Sequence, residues 1–308
     1  MTTALITHDD FLNHVTPPGH PARVARLEHL LHALNGKELL RAVAPECTDE
    51  DIQLCHPASY IATIAGASPS EGFVQIDADT HMSPGSYIAA RRAVGGAVKA
   101  VDMVMDGAAD NVFVACRPPG HHAETATPMG FCFFGNVAIA AKHALERHGL
   151  TRVAVVDFDV HHGNGTQDLL KSEARSLFIS SHQMPLWPGS GAASETGDHN
   201  NVLKIPLAPG TGSDGFRSAY EGMVFPALEE FKPEMLFISA GFDAHEADPL
   251  ANLMFKDADF EWVTDKLCAI AKTHCDGRVV SCLEGGYDLG ALSRAGALHV
   301  DALIRAGA

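Results

Sequence analysis

The stretch VVDFDVHHGNGT, residues 155–166, joins an apolar run to a cluster of acids and histidines. Asp159 and His161 stand two positions apart at the end of the run. Alternate side chains of an extended chain lie on one face, so both can reach the same point. A carboxylate and an imidazole placed in this way are typical ligands of a divalent metal. A buried, hydrogen-bonded acid–histidine pair has the same local sequence, so other strand ends must distinguish the two.

Strand-like and helical patterns alternate around this stretch. Strands are predicted over residues 152–158, 177–180, 202–207, 235–240 and 278–283, with a further apolar run over 111–116. Helices are predicted over residues 21–34, 83–105, 136–148, 214–231, 259–274 and 289–305. Such alternation is typical of an α/β fold in which helices cover both faces of a mostly parallel sheet. No linker divides residues 1–308, so we expect one domain.

The composition limits the class of function. The chain has 308 residues, of which 46% are hydrophobic and 19% charged, and its net charge is −16. This acidic balance disfavours binding to nucleic acid, and no apolar run is long enough to predict a membrane span. The seven cysteines contain no CxxC pair, and the first residues do not resemble a signal peptide. These features predict a protein of the reducing cytoplasm.

Polar residues follow several of the predicted strands, in the segments DFDVHHGNG, SSHQ, GFDAHEADP and EGGYD. Ligands of open α/β sheets bind at the carboxyl ends of the strands, so these segments are expected to converge at one edge. Asp243 follows the strand over residues 235–240 and is the natural third ligand beside Asp159 and His161. Three protein ligands leave coordination positions for water and substrate, as in a catalytic metal site. The second acid therefore favours a metal site over a plain acid–histidine pair.

Two further motifs carry polar groups whose roles the local sequence leaves open. His121 and His122 follow the turn RPPG. They are either metal ligands or an acid/base pair beside the metal. Tyr287 follows two glycines in EGGYD and is either a donor to an oxyanion or a packed loop residue. Phe133 and Phe134 of GFCFF are expected to be ordinary core residues.

Five motifs, in order, resemble those of the zinc-dependent histone deacetylase family: RPPGHHA, GFCFFGN, VVDFDVHHGNGTQ, SAGFDAHEADPL and EGGYDL. They are also similar to those of its bacterial relatives, the histone deacetylase-like amidohydrolases and the acetylpolyamine amidohydrolases. The resemblance runs from HPARVARL, near residue 20, to EGGYDL, near residue 288, and so covers nearly the whole chain. Asn164 in HHGNGT stands where the class I branch has an aspartate, which resembles the class II branch.

The resemblance implies a single-domain arginase/deacetylase fold with a mostly parallel sheet of about eight strands. It implies one catalytic zinc ion, bound by Asp159, His161 and Asp243. It also implies a structural potassium ion near Asp157 and Ser180, completed by nearby backbone carbonyls.

The same resemblance assigns roles to the remaining polar residues. Asp157 is expected to pair with His121, and Asn164 is expected to contact His122. His122 acts as general base and acid, His121 stabilises negative charge as a cation, and Tyr287 donates to the oxyanion. His162 is expected to be structural. The implied substrate-binding residues are Gly130, Phe131, Trp187 and Leu250, of which Trp187 lies in a loop that aligns only roughly.

The implied activity is hydrolysis of N-acetyl or other N-acyl lysine side chains. The alternative is hydrolysis of acetylpolyamines, and a second alternative is a module that binds acyl groups without turnover. Leu250 stands where polyamine-specific relatives place a glutamate, although Glu246 and Asp248 are further acids that could reach the pocket rim. The sequence leaves open the physiological substrate, the acyl-chain length and zinc versus iron. It also leaves open the oligomeric state, homo-oligomers included.

Overall fold

A sheet of eight parallel strands runs through the middle of the protein. The structure is a computed structural model that describes residues 2–307. In chain order its strands are β1 (Thr3–Thr7), β2 (Leu40–Val43), β3 (Val74–Gln75), β4 (His81–Met82), β5 (Asn111–Val114), β6 (Val153–Asp157), β7 (Ser176–Gln183), β8 (Val202–Leu207), β9 (Met235–Ala240) and β10 (Val279–Leu283). β3 and β4 form a separate antiparallel ribbon, and the others lie in the order β2-β1-β5-β10-β9-β6-β7-β8. The predicted α/β class and strand number are confirmed.

Ten α-helices accompany the strands in the part of the chain that the structure describes. They are α1 (Ala25–Ala33), α2 (Asp49–Ile52), α3 (Ala58–Gly66), α4 (Ser86–Met105), α5 (Asn136–Arg147), α6 (Asn164–Leu170), α7 (Ser213–Ala219), α8 (Phe225–Phe231), α9 (Asp257–His274) and α10 (Leu289–Ala306).

Helices cover both faces of the sheet, as predicted. Phe113 of β5 packs edge-on against His299 of α10, with 5.4 Å between the ring centroids. The next residue, Val114, lies against Gly96 of α4. Because successive side chains of a strand point to opposite faces, α10 and α4 lie on opposite sides of the sheet. Every residue of β5, β6, β7, β9 and β10 is buried, which explains why all of these strands except β7 have nearly continuous apolar sequences.

The structure corrects the predicted start of the first helix. That helix begins at Ala25 rather than at residue 21. The His20 ring accepts a hydrogen bond from the backbone N–H of Ala22, and Arg23 N–H donates to the carbonyl of Pro21. These local bonds hold the preceding residues in turns, so the helical pattern starts one turn later.

The long helix predicted over residues 214–231 is divided. A π-helical turn, Tyr220–Val224, separates α7 from α8. Pro226, in the first turn of α8, has no N–H with which to continue the i→i−4 ladder back to Gly222. The wider π turn accommodates this missing donor.

Several elements lay outside the predicted set: α2, α3, the ribbon β3–β4, β1, β2 and α6. β1 and the edge strand β2 are short, and most of β2 is exposed, so neither has a clear hydrophobic period. α6 follows the glycine-rich end of the opening motif. β7 continues beyond the predicted residue 180 to Gln183, because Ser181, His182 and Gln183 are buried polar residues that pair with β8.

Three further expectations concern membrane-spanning helices, the cysteines, and Phe133 and Phe134. Within residues 2–307, no helix combines the length and the apolarity that a membrane crossing requires. All seven cysteines are free thiols. Phe133 and Phe134 are buried in a cluster with α2, α3 and α4, as expected.

Candidate active site

Four adjacent strands at the centre of the sheet end at one edge, and polar loops follow them. In spatial order these strands are β5, β10, β9 and β6. The loop after β9 carries Asp243, and the end of β6 leads directly to Asp159 and His161. The loops after β5 and β10 carry His121, His122 and Tyr287. The expected convergence at the carboxyl edge is therefore present in the fold.

Asp159, His161 and Asp243 form a compact group of metal-ligating atoms. One atom from each lies within 4.8 Å of the other two. His161 Nδ1 is 3.1 Å from Asp159 Oδ1 and 3.2 Å from Asp243 Oδ2. Ligands of a tetrahedral zinc ion with bonds of about 2 Å are separated by about 3.3 Å. The three side chains therefore fit a single divalent ion with little rearrangement.

The electrostatics of this group also favour a cation. Burial opposes a charge on His161, but hydrogen bonds to Asp159 and Asp243 outweigh it and raise the histidine pKa to about 10. Burial and the charge of Asp159 raise the pKa of Asp243 to about 6. A Cβ on Gly285 would lie 2.1 Å from Asp243 Oδ2 and 2.5 Å from Asp159 Oδ2, so only glycine lets this loop close over the carboxylates.

His121 lies behind the metal-ligand group and pairs with a carboxylate. Its Nδ1 is 2.9 Å from Asp157 Oδ2, and its Nε2 is 3.6 Å from Asp159 Oδ2. Burial opposes its charge, but the two aspartates raise the pKa of His121 well above the ordinary value. This histidine is therefore held as a cation at neutral pH.

His122 pairs with an amide instead. Its Nδ1 is 2.8 Å from Asn164 Oδ1, and Asn164 Nδ2 donates to Glu124 Oε1 at 2.8 Å. Because Glu124 sets the amide orientation, His122 must carry its proton on Nδ1, which leaves Nε2 as a free base. Burial, followed by the charges of His121 and His161, lowers the pKa of His122 well below its usual value. The two adjacent histidines therefore have opposite protonation preferences.

Tyr287 is held by residues that lie far away in the sequence. Arg26 donates to the carbonyls of Glu284 and Gly286, and its guanidinium lies 4.7 Å from the centre of the Tyr287 ring. Asp248 Oδ2 accepts from the backbone N–H of Tyr287 at 2.6 Å. Burial raises the pKa of the Tyr287 phenol well above its ordinary value, so it stays a neutral donor.

Glu284 is a functional candidate that the sequence analysis did not single out. Its buried carboxylate accepts from the backbone N–H of Gly120 at 2.7 Å and from that of His121 at 3.2 Å. The glutamate of EGGYD therefore anchors the turn that carries the two histidines. Its position directly before the two glycines is the only local signal for this role.

A narrow cavity of about 180 Å³ leads to the ligand group. The four expected substrate-binding residues all line it, as do His122, His161, Tyr287, Leu186 and Asp79. The centroid of the Trp187 ring lies 4.7 Å from that of the His122 ring. Trp187 therefore lines the cavity, even though the sequence of its loop resembles that of the family only roughly. Gly130 separates these two rings, since a Cβ there would lie 2.4 Å from His122 and 2.6 Å from Trp187.

A wider cavity of about 620 Å³ adjoins the narrow one and shares Leu250 and Tyr287 with it. Its other lining residues come mainly from the segment 15–25 and include His20 and Arg23.

Glu246 and Asp248, the two acids considered as alternatives for the pocket rim, point elsewhere. Asp248 is buried against the backbone of the Tyr287 loop, and Glu246 forms an ion pair with Lys256. Neither lines the narrow cavity, whereas Asp79 does. The segment that bears Asp79 adjoins the short ribbon β3–β4, and nothing in its local sequence marked it.

Ser180 and His162, which the sequence analysis also assigned, do not belong to the group formed by Asp159, His161 and Asp243. Ser180 is the cross-strand partner of Asp157 at the ends of β7 and β6, and its hydroxyl lies 3.0 Å from His182 Nδ1. His162 points away from the metal ligands and pairs with Ser190 Oγ at 2.8 Å.

Comparison with known proteins agrees with this geometry. The model of the histone deacetylase domain matches residues 20–303. A histone deacetylase-like amidohydrolase of Pseudomonas aeruginosa is 41% identical over 285 residues, which cover 89% of this chain and 74% of that protein. A probable deacetylase of Archaeoglobus fulgidus is 38% identical over 298 residues, which cover 94% of this chain and 82% of that protein. The crystal structure of the HDA15 HD domain has a TM-score of 0.92 and 31% identity, covering 98% of this chain and 88% of that one.

These findings identify the class of protein. The chain belongs to the histone deacetylase family, as its five motifs predicted. The family and the named relatives support deacetylase activity, and therefore a hydrolase that acts on acyl amides. The family is generally metal-dependent, and the chain has a matching group of ligands in Asp159, His161 and Asp243.

Asp248 provides a test of how the Tyr287 loop is held. We expect Asp248→Ala to lower the free energy of unfolding by about 1–3 kcal/mol, because the backbone N–H groups of Leu250, Tyr287 and Asp288 lose a buried acceptor. We also expect kcat to fall, since the loop is no longer fixed. Urea denaturation and steady-state kinetics measure the two effects. Asp106→Ala, at an exposed carboxylate with an ordinary helical backbone (φ −81°), is the control. Equal stability of the two variants would contradict this role.

Proposed function

We propose that residues 1–308 act as one catalytic domain that hydrolyses the side-chain amides of N-acetyl or other N-acyl lysines in a zinc-dependent reaction. The observation that carries the proposal is the position of His122. His122 lines the narrow cavity beside His161, one of the three residues of the ligand group, and its Nδ1 is held by Asn164, which leaves Nε2 as the basic nitrogen. A base beside a divalent cation is the arrangement that metal-assisted hydrolysis requires. This complete set of groups speaks against an acyl-binding module without turnover.

Asp159, His161 and Asp243 are the residues that we assign to zinc. When bound there, zinc supplies a Lewis acid that polarises the amide carbonyl and acidifies the attacking water. We assign a structural potassium ion to the oxygen atoms of Asp157 and Ser180, which are paired across β6 and β7, together with nearby backbone carbonyls. A cation beside Asp157 would limit the cost of burying this carboxylate.

Proton transfer is assigned to the histidine pair. His122 Nε2 takes a proton from the attacking water and delivers a proton to the leaving lysine nitrogen. Asn164 orients the ring without adding charge, so His122 stays neutral before the attack. His121, as a cation paired with Asp157, stabilises the negative charge that develops beside it. Tyr287 donates its hydroxyl hydrogen to the oxyanion of the substrate.

The cavity supports a linear acyl-lysine substrate. Its volume of about 180 Å³ suits an extended chain, and its apolar walls include Phe131, Leu186, Trp187 and Leu250. The four methylenes of a lysine side chain bury apolar surface against such walls. Leu250 offers no charge for a second amine of the substrate.

Acetylpolyamine hydrolysis is the second candidate, and Asp79 is the observation that favours it. Its carboxylate lines the cavity and accepts from the backbone N–H of Gly130 at 3.1 Å. An acid in this position can pair with the distal ammonium of a polyamine or accept from a peptide N–H. The net charge of −16 attracts polycations in either case. We assign the enzyme to a reducing cytoplasm, because all seven cysteines are free thiols.

The metal assignment predicts the effect of removing one ligand. Asp159→Ala should contain about one metal ion fewer per chain than the wild type, because two of three ligands do not hold a catalytic ion tightly. Elemental analysis of both proteins after gel filtration measures the difference, and activity should be lost with the ion. Asp110→Ala, remote from this group, should keep its metal. Equal metal content in Asp159→Ala and wild type would overturn the assignment.

The role of Tyr287 predicts a loss of kcat without loss of the fold. Tyr287→Phe should lower kcat by about 10²-fold or more, the scale for a lost oxyanion donor. Tyr60→Phe is the matched control, since Tyr60 is also buried but donates to the carbonyl of Phe133, outside the cavity. His122→Ala should be at least as damaging as Tyr287→Phe. If Tyr287→Phe and Tyr60→Phe hydrolyse acetyl-lysine equally fast, Tyr287 is a packing residue.

Substrate class is tested by comparing kcat/KM for an acetyl-lysine peptide with kcat/KM for acetylputrescine and acetylspermidine at equal ionic strength. We expect the peptide to be preferred. A tenfold preference for either polyamine, about 1.4 kcal/mol in transition-state binding, would instead favour the second candidate. In that case Asp79→Asn should lower kcat/KM for the polyamines more than for the peptide, because it removes the charge that pairs with the second amine.

A further inference from the structure

A second group of metal-ligating side chains lies on α4 and α5, away from the candidate active site. Asp102 belongs to the last turns of α4, His143 belongs to α5, and His148 is the residue directly after α5. One atom from each lies within 4.8 Å of the other two. We propose that these three residues form a second binding site for a divalent transition metal such as zinc.

The topology separates the two groups. α4 ends at Met105 shortly before β5 begins, and α5 ends at Arg147 shortly before β6 begins. The C-terminal ends of both helices therefore lie at the edge where the strands start. The candidate active site lies at the opposite edge, where the strands end. An ion at the second site cannot contact substrate or the groups assigned to catalysis.

The geometry suits coordination by three side chains. His143 Nε2 and His148 Nε2 each lie 2.8 Å from the same atom, Asp102 Oδ1, and the ring centroids are 5.3 Å apart. Ligands of a tetrahedral ion with bonds of about 2 Å are separated by about 3.3 Å, so each histidine nitrogen lies about half an ångström closer to the carboxylate oxygen than coordination requires. Two imidazoles and one carboxylate are a common ligand set for zinc, and imidazoles also suit copper and nickel.

The charge of the surroundings favours a cation. The C-terminal end of a helix carries a partial negative charge, and here two helices end beside one group. Without a metal, the Asp102 carboxylate holds the His143 proton on Nε2, whereas the buried Nδ1 has no hydrogen-bond partner among the described residues, so no protein contact opposes a shift of the proton to Nδ1 when a metal takes Nε2. Its proton can therefore occupy Nδ1 and leave Nε2 to a metal.

Partial exposure determines what this site can do. The side chains of His143, His148 and Asp102 are 10%, 20% and 44% exposed. Solvent can therefore supply the remaining ligands, and the ion can exchange without opening the core. An ion bound there joins the ends of two helices that pack on each other, which stabilises the folded protein by linkage.

The test is a zinc titration of tag-free protein that already contains its tightly held metal. We expect calorimetry to show one additional zinc ion per wild-type chain and none for His148→Ala or Asp102→Asn. His274→Ala is the matched control, because His274 also pairs with one carboxylate, Glu229, but has no second histidine beside it. This control should bind the additional ion. The same comparison should be made in the Asp159→Ala variant. Adding His148→Ala to that variant should again remove one bound zinc ion, so the result does not depend on what the candidate active site binds.

Thermal unfolding provides a second readout. Added zinc should raise the Tm of the wild type and of His274→Ala, but should leave that of His148→Ala unchanged. The kcat of His148→Ala, measured without added zinc, should equal that of the wild type, which shows that the variant is folded. A wild type that binds no additional zinc would overturn the proposal. So would an unchanged stoichiometry in both His148→Ala and Asp102→Asn.

Discussion

The burial of four carboxylates at the ends of three neighbouring strands is the constraint on which the site depends. Asp157, Asp159, Asp243 and Glu284 are at most 1% exposed. A buried charge is costly unless hydrogen bonds and opposite charges compensate it. Each carboxylate here accepts a backbone N–H, and several of these donors come from another strand end, as when Gly285 donates to Asp159. These hydrogen bonds link the loops that follow neighbouring strands and therefore fix the positions of the loops relative to one another.

The two adjacent histidines show how partners determine chemistry. His121 and His122 share one rigid turn and are equally buried, but one faces the carboxylate of Asp157 and the other faces the amide of Asn164. The carboxylate favours the imidazolium form, whereas the amide only fixes the tautomer. One turn thus presents a cation and a neutral base side by side, which suits an amide hydrolase with separate electrostatic and proton-transfer groups.

The two histidine–aspartate groups lie at opposite edges of the sheet and differ in burial. The ligand group of the candidate active site is closed by Gly285 and by the cavity walls, so an ion there is sheltered from solvent and close to substrate. The group on α4 and α5 is partly exposed, and its carboxylate accepts from side chains alone among the described residues. The same residue types are therefore suited to catalysis at one edge and to holding two helices together at the other.

The sequence by itself determined the α/β class, the family and the grouping of Asp159, His161 and Asp243. Those signals are local: apolar runs that end in polar residues, and the spacing of Asp159 and His161. It did not indicate Asp79 or Arg26, nor that Asp248 holds the Tyr287 loop, because their partners lie about 40 to 260 positions away in the chain. It also missed β1 and β2, which are short and have no clear period, and the π turn before Pro226. Only the tertiary structure decided these features, because they depend on which distant backbone groups the folded sheet brings together.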